Sequence, residues 1–459
     1  MAERLAGHAH GNLTKAFGVE AERQGAYRWL ENEEVLQESV ADAAGEACAR
    51  SSAAFPFVFV PIDETSATLT DPLGLKGFGA VGPSNRQARG IHAISALAVS
   101  PEGETLGVLA QRLWMRPPPC PARRRRRSKK ESARRLAARQ RACRMRSTAQ
   151  KETQHWIEVA EASARRCADQ APETRCWFQI DRGGDGAPIL TALEGSGQLW
   201  TVRSSWNRRV RRASGASSYL RQELESHGWV GHLWFNVAAG PHRTARRALV
   251  IVRIHQVVLD LRDPRTSQRT PLEVQAVWAQ EVGTCPSREA PLDWLLLTNR
   301  RVSTFAEAQQ VLDGYATRWR IEEVHRTWKR GGCHVESTQL HSEAAIKKWA
   351  TLLFIVAARI EHLKTLARTS PELPASVELS AHEIRALLLL KRKQKKRTEV
   401  VPDTMPSIGQ AVRWMADLGG YTGKSSGGPP GSVTIGRGLA KVLACVEVLE
   451  ALEEEGSEM

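Results

Sequence analysis

The chain has only four tyrosines and nine phenylalanines, and its eight cysteines are scattered with no Cys-x-x-Cys pair. No Cys/His group stands at zinc-ligand spacing. That argues against a structural zinc and fits a reducing compartment. Long apolar runs are missing as well. The longest, Trp349 to Leu363, is interrupted by Arg359, Glu361 and His362, too short and too charged to span a bilayer. The first residues, Met1-Ala-Glu-Arg4, lack the apolar core of a signal peptide. Acidic charge is in deficit: 65 Lys and Arg face 50 Asp and Glu, leaving a net charge of +15. These shortages point to a soluble intracellular protein with no membrane contact and a polyanionic partner.

What is present is ordinary in bulk. A length of 459 residues predicts two to four domains, and 42% hydrophobic with 25% charged residues suits a globular chain. Fourteen tryptophans are unusual and admit both a core and a binding reading. Residues 1–50 read as polar helices. Phe55 to Ile62 is almost wholly apolar and ends on Asp63, a buried strand despite Pro56 and Pro61. A hairpin follows, from Ile91 to Val99 and from Thr105 to Leu113, turning at Ser100-Pro-Glu-Gly103. Residues 116–146 hold fourteen Lys and Arg against one acid, Glu131, and include the run Arg123 to Arg127. They read either as a solvated basic loop or as a non-specific phosphate contact, with a helix from Ser132 towards Cys167. Cys176 to Ile180 is a second apolar strand, ending on Asp181, and Leu199 to Val202 a third. Residues 205–290 alternate in strand fashion and form a β-rich insertion. Trp294 to Leu297 is a further strand. Helical segments close the chain, with a basic run from Lys391 to Arg397, a loop at Gly427 to Gly431 and a last helix over Leu439 to Leu452.

Thr304 to Arg330 is the most informative stretch. Thr304-Phe-Ala-Glu307 is a capping box and Gly331-Gly332 a stop, so the spacing predicts one long helix. Tyr315, Arg318, Glu322 and Lys329 fall within roughly 60° of one face at about 100° per residue. Ile321, Val324 and Trp328 point the other way. Alone, such a face is equally a solvated surface with ion pairs one turn apart. Asp63 and Asp181 add to it, because strand C-termini are where open α/β sheets place their sites. Two carboxylates from strand ends and one from a helix form an all-oxygen set that suits two magnesium or manganese ions about 4 Å apart.

The segment Tyr315-Ala-Thr-Arg318-Trp-Arg-Ile-Glu322, continuing to Lys329, matches Y-x2-R-x3-E-x6-K at every step. With Pro291-Leu-Asp-Trp-Leu-Leu-Leu-Thr298 before it, it resembles the insertion-sequence-four family of bacterial DDE transposases. Ile62-Asp63-Glu-Thr65, Ile180-Asp181-Arg-Gly-Gly-Asp185 with Arg203 downstream, Gln24 to Trp29, Gly419-Gly-Tyr421 and Gly428-Pro-Pro-Gly431 extend the likeness over roughly residues 20–455. The resemblance implies an α/β fold with an RNase H-like catalytic core, a β-rich insertion and flanking helical segments. The corresponding division is a partial N-terminal helical DNA-binding region (1–52), core (53–204, carrying 116–146), insertion (205–290), core again (291–345) and a helical C-terminal dimerisation region (346–459). It implies catalytic and metal-binding Asp63, Asp181 and Glu322, with Mg2+ or Mn2+ as a pair of ions. Arg203, Trp294, Tyr315, Arg318 and Lys329 become contacts to DNA, Trp294 by stacking on a flipped base. The activity implied is cut-and-paste transposition on double-stranded DNA by a homodimer, in the bacterial cytoplasm at the nucleoid. A remnant that only binds DNA and an unrelated RNase H-like nuclease are the competing readings. Two departures stand out. Gly183-Gly184 replaces the usual Glu-Ala, which is expected to loosen the turn after the strand. The chain also starts at least one helix late relative to the family, which predicts weaker recognition of transposon ends.

Overall fold

A computed structural model describes residues 9–457 except 72–75, 83–87, 118–136, 139–150, 213–214, 238, 240–242, 264–265, 287–288, 395–400, 402–403 and 425–427. Nearly all of the basic segment 116–146, with its expected helix from Ser132 as far as 150, lies outside the described residues, as does 395–397 of the second basic run. In chain order the elements are α1 (Leu13–Ala16), α2 (Glu20–Glu31), α3 (Gln37–Ser52), β1 (Phe57–Thr68), β2 (Gly90–Val99), β3 (Thr105–Trp114) and α4 (Thr153–Gln170). Then come β4 (Arg175–Ile180), α5 (Ala187–Gly195), β5 (Leu199–Arg203), β6 (Arg209–Arg211), β7 (Ser217–Tyr219), α6 (Leu220–Glu225), β8 (Gly231–Val237), β9 (Arg246–Arg262), β10 (Arg269–Val282) and β11 (Asp293–Thr298). The chain ends with α7 (Phe305–Ala316), α8 (Trp319–Arg326), α9 (Glu343–Thr369), α10 (Ala381–Gln394), α11 (Ile408–Leu418) and α12 (Ser432–Ser457).

Two compact units divide these elements. One comprises Met1–Ala54, Glu64–Cys120 and Arg320–Met459; the other comprises Phe55–Asp63 and Pro121–Trp319.

The second unit is an α/β layer on a mixed sheet, as an RNase H-like core requires. Strands β1, β4 and β5 run parallel, α5 making the crossover between the last two, and β11 closes antiparallel on β5. The β-rich stretch continues through β10, β9, β6 and β7, with β8 pairing β9. Aromatic packing explains why the first strands are buried on both faces. Phe57, Phe59 and Trp177 meet at centroid distances of 5.2 to 5.9 Å, and Trp177, Phe178 and Trp200 are fully buried. Three buried indoles find acceptors: Trp177 donates to Thr201 Oγ1 (2.9 Å), Trp200 to Glu194 (3.0 Å) and Trp278 to Asp293 (2.7 Å). For these residues the tryptophan richness is core construction. Others, Trp206, Trp229, Trp234 and Trp319, are exposed.

The first unit centres on α9. Its 27 residues are buried on nearly every side, so its apolar run serves a protein core. No helix among the described residues is long and apolar enough to cross a membrane. The hairpin β2–β3 forms as expected, turning at Gly103 with φ +88°. A buried polar chain ties α3, α9 and the hairpin together: Gln37 donates to Thr351, Thr351 to Gln111 and Gln111 to Ser95, at 2.9 to 3.3 Å. Lys348, itself buried, donates to the carbonyls of Leu30 and Asn32 at the C-terminal end of α2. Those carbonyls have no partner within the helix, so a cation there satisfies them and suits the negative end of the dipole. The last helix, α12, begins seven residues before its expected start at Leu439.

Candidate functional site

Pairing between β1 and β4 runs in register from Phe57↔Arg175 to Ile62↔Ile180. The next residue on each strand is Asp63 and Asp181. In a parallel pair equal register brings both side by side at the carboxyl end, where such sheets carry their sites. Both are half-buried. Asp63 does not end its strand as expected, because β1 continues to Thr68; what stops at Ile62 is the described pairing with β4.

Asp181 caps a 3-10 turn over Arg182–Gly184, its Oδ1 accepting from Gly183 N at 2.7 Å. The expectation that Gly183 and Gly184 loosen this turn is therefore corrected. A Cβ on Gly184 would stand 2.2 Å from Ile180 Cγ2 and 3.5 Å from the Trp156 ring, so glycine lets the turn close against α4. Asp185 is not a ligand candidate. Its carboxylate is fully buried and accepts from Arg208 Nη2 (2.5 Å), Ser205 N (2.6 Å) and Ser204 Oγ (3.2 Å). It anchors the segment after β5 beneath Asp181. No local pattern signals that role, because its partners lie about twenty residues away.

The predicted single helix is broken. α7 stops at Ala316, α8 starts at Trp319, and Thr327–Gly331 is a π-helical turn. Arg318 lies in the first break. It is 6% exposed, with Nη1 3.8 Å from Asp63 Oδ2 and its guanidinium 5.0 Å from the Trp319 ring. Tyr315 is 2% exposed, so at this position the face is not a solvated surface. Burial raises the Tyr315 pKa, and the charges of Arg318 and Arg203 and a hydrogen bond to Arg203 oppose that rise only in part. Arg203 ends β5 and also donates to the Asp293 carbonyl at 2.8 Å. Burial lowers its pKa, yet a guanidinium stays charged. Trp294, on β11, meets the Tyr315 ring edge-on at 5.2 Å and Phe235 at 5.0 Å. The second unit thus brings together Asp63, Asp181, Arg203, Trp294, Tyr315 and Arg318.

Glu322 and Lys329 belong to the first unit. Glu322 lies half-buried in the first turn of α8, beside buried Ile321 and Val324. Lys329 Nζ donates to Thr65 Oγ1 at 2.5 Å from within the π-helical turn. The turn is held by Trp328 Nε1 donating to the Ala350 carbonyl (2.9 Å) and by Thr327 Oγ1 donating to Glu361 (2.5 Å). π-helical turns recur at functional sites. Periodicity at 3.6 residues could not reveal this one.

The donor chemistry of Asp63 and Asp181, adjacent carboxylates without imidazole or thiolate, fits hard divalent cations. Comparison with known families agrees. Residues 149–358 match the family described as the transposase DDE domain, a span holding Asp181 and Glu322 but not Asp63. Residues 355–453 match the transposase Tn5 dimerisation domain. Above a mixed-sheet α/β core, the chain is thus similar over 149–358 to a transposase DDE domain and over 355–453 to a transposase dimerisation domain.

Proposed function

We propose that this protein is a transposase of the insertion-sequence-four type that excises and reinserts DNA by cut-and-paste phosphoryl transfer, acting as a homodimer on double-stranded DNA at the bacterial nucleoid. The observation that carries the reading is the shared register placing Asp63 and Asp181 next to each other at the carboxyl ends of parallel strands. Together with Glu322 they are assigned as ligands for two Mg2+ or Mn2+ ions. Such ions, when bound, lower the pKa of an attacking hydroxyl and neutralise charge on the leaving oxygen.

The chain's own residues orient and grip. Gly183 N–H holds one oxygen of Asp181, leaving the other to coordinate. Arg318, beside Asp63, is assigned to a phosphate of the DNA end, where a guanidinium can donate two parallel hydrogen bonds. Arg203 and Lys329 supply further phosphate contacts, and Trp294 a stacking surface for a base. Tyr315 acts through them, holding Arg203 and Trp294 in place from its buried position. The test is Asp181→Asn, assayed for Mg2+-dependent nicking of end-containing DNA and, separately, for binding to the same duplex. Cleavage should disappear while affinity stays within about threefold, since metal positioning and not affinity is assigned to this carboxylate. A variant that nicks at a comparable rate would remove Asp181 from the reaction.

A further inference from the structure

Within the second unit, the β-rich insertion gathers a second set of possible metal ligands, chemically unlike the carboxylates. Glu223 on α6, His227 just beyond that helix and His255 midway along β9 bring one ligand atom each to within 4.8 Å of one another. Sequence spacing hides the group, because His255 lies 28 residues after His227 and reaches it only through the packing of α6 on β9.

Three features favour a built site. His227 Nδ1 lies 2.8 Å from the Glu223 backbone carbonyl. A carbonyl only accepts, so Nδ1 donates to it, which assigns metal binding to Nε2. Metal-bound histidines are oriented in this way, their second nitrogen donating to a carbonyl or carboxylate. Glu223 is buried, and Arg212 Nε donates to its Oε2 at 2.7 Å, which fixes the carboxylate from behind. The two imidazoles lie ring against ring at a centroid distance of 3.7 Å, which keeps a nitrogen of each near the Glu223 carboxylate.

We propose that Glu223, His227 and His255 bind one divalent first-row transition ion, zinc foremost, with water completing its shell. Two imidazoles and one carboxylate around an open fourth position are a zinc donor set, whereas magnesium selects oxygen alone. The ion would join the end of α6 to the middle of β9. It is separate from the carboxylate set assigned to catalysis and stands whether or not that assignment holds.

The experiment titrates Co(II) into chelator-stripped full-length protein in excess Mg2+, following visible d–d absorption, with Zn(II) added afterwards. The expected result is a one-equivalent band with nitrogen-ligand intensity, which Zn(II) removes. His227→Gln and His255→Gln should each abolish the band, and Asp181→Asn should leave it unchanged. If His255→Gln fails to fold, His227→Gln decides, since position 227 lies outside helix and strand. No band in the wild type, a band surviving in a folded histidine variant, or a band lost in Asp181→Asn each overturns the site.

Discussion

Glu361 is 1% exposed and lies at the centre of a charged network in the first unit. Its Oε1 accepts from Thr327 and Ser432, both at 2.5 Å, and its Oε2 pairs with Lys364. The side chain of Lys364 is 6% exposed and also lies 3.4 Å from Glu323. Replacing Glu361 by glutamine keeps the shape and the acceptor for both hydroxyls but takes away the charge facing a buried ammonium. Removing one partner of a buried pair costs about 3–5 kcal/mol. Glu323 remains as a second, more exposed carboxylate, so the low end, about 3 kcal/mol, is expected. Replacing both members, Glu361→Gln with Lys364→Met, removes the stranded charge and should recover at least half of that loss. The assay is urea unfolding of wild type, both single variants and the double variant, read as a double-mutant cycle. A loss below about 1 kcal/mol in Glu361→Gln, or a double variant no more stable than the single, would show that Lys364 reaches water and that the burial argument is wrong.

His362 is buried, which favours its neutral form, but a hydrogen bond to Glu378, the charges of Glu378 and Glu104 and the Thr105 carbonyl outweigh burial and raise its pKa above 6.5. Its contribution to stability is therefore full below 6.5 and is lost as pH rises through the folded value; His362→Gln should destabilise the protein more at pH 6 than at pH 9, and an equal loss at both would contradict this. Gly184→Ala should cost about 1–3 kcal/mol from overpacking against Ile180 and cut DNA nicking by displacing the Asp181 turn, as thermal unfolding and a nicking assay would report. Replacing Arg123 to Arg127 with glutamine should weaken binding to all duplexes alike and flatten the salt dependence, by about 0.9 in slope for each phosphate no longer neutralised; weakening confined to one sequence would make the run a base reader.

Much of this was legible in the sequence where the pattern is local. The apolar runs before Asp63 and Asp181 named two strands, and the Thr304 capping box marked the start of α7, where Thr304 Oγ1 and Glu307 exchange hydrogen bonds as expected. What stayed hidden depends on contacts between distant residues or on departures from regular geometry. The breaks at Arg318 and Thr327 coincide with long-range contacts, Arg318 to Asp63 and Thr327 to Glu361, and helical periodicity contains neither partner. The anchoring role of Asp185 has no local signature, since Arg208, which neutralises it, lies beyond the next strand. The glycines after Asp181 read as looseness only because the Ile180 and Trp156 side chains pressing on them are invisible in one dimension.

Helix α9 has a consequence for how such a protein can be inherited or cut. The two family domains meet at residues 355–358, midway along its 27 residues. Its first half carries Ile346, Trp349, Leu353 and Phe354, all nearly inaccessible to solvent, and its second half carries Ile360, Glu361 and Leu363. A fragment ending at that boundary would bare one apolar half-helix and strand the other, leaving adhesive surfaces on both pieces. Recombination between relatives should therefore find its tolerated breakpoints outside 343–369. The span similar to the dimerisation domain should then be inherited together with the span similar to the DDE domain, because one continuous helix runs into both.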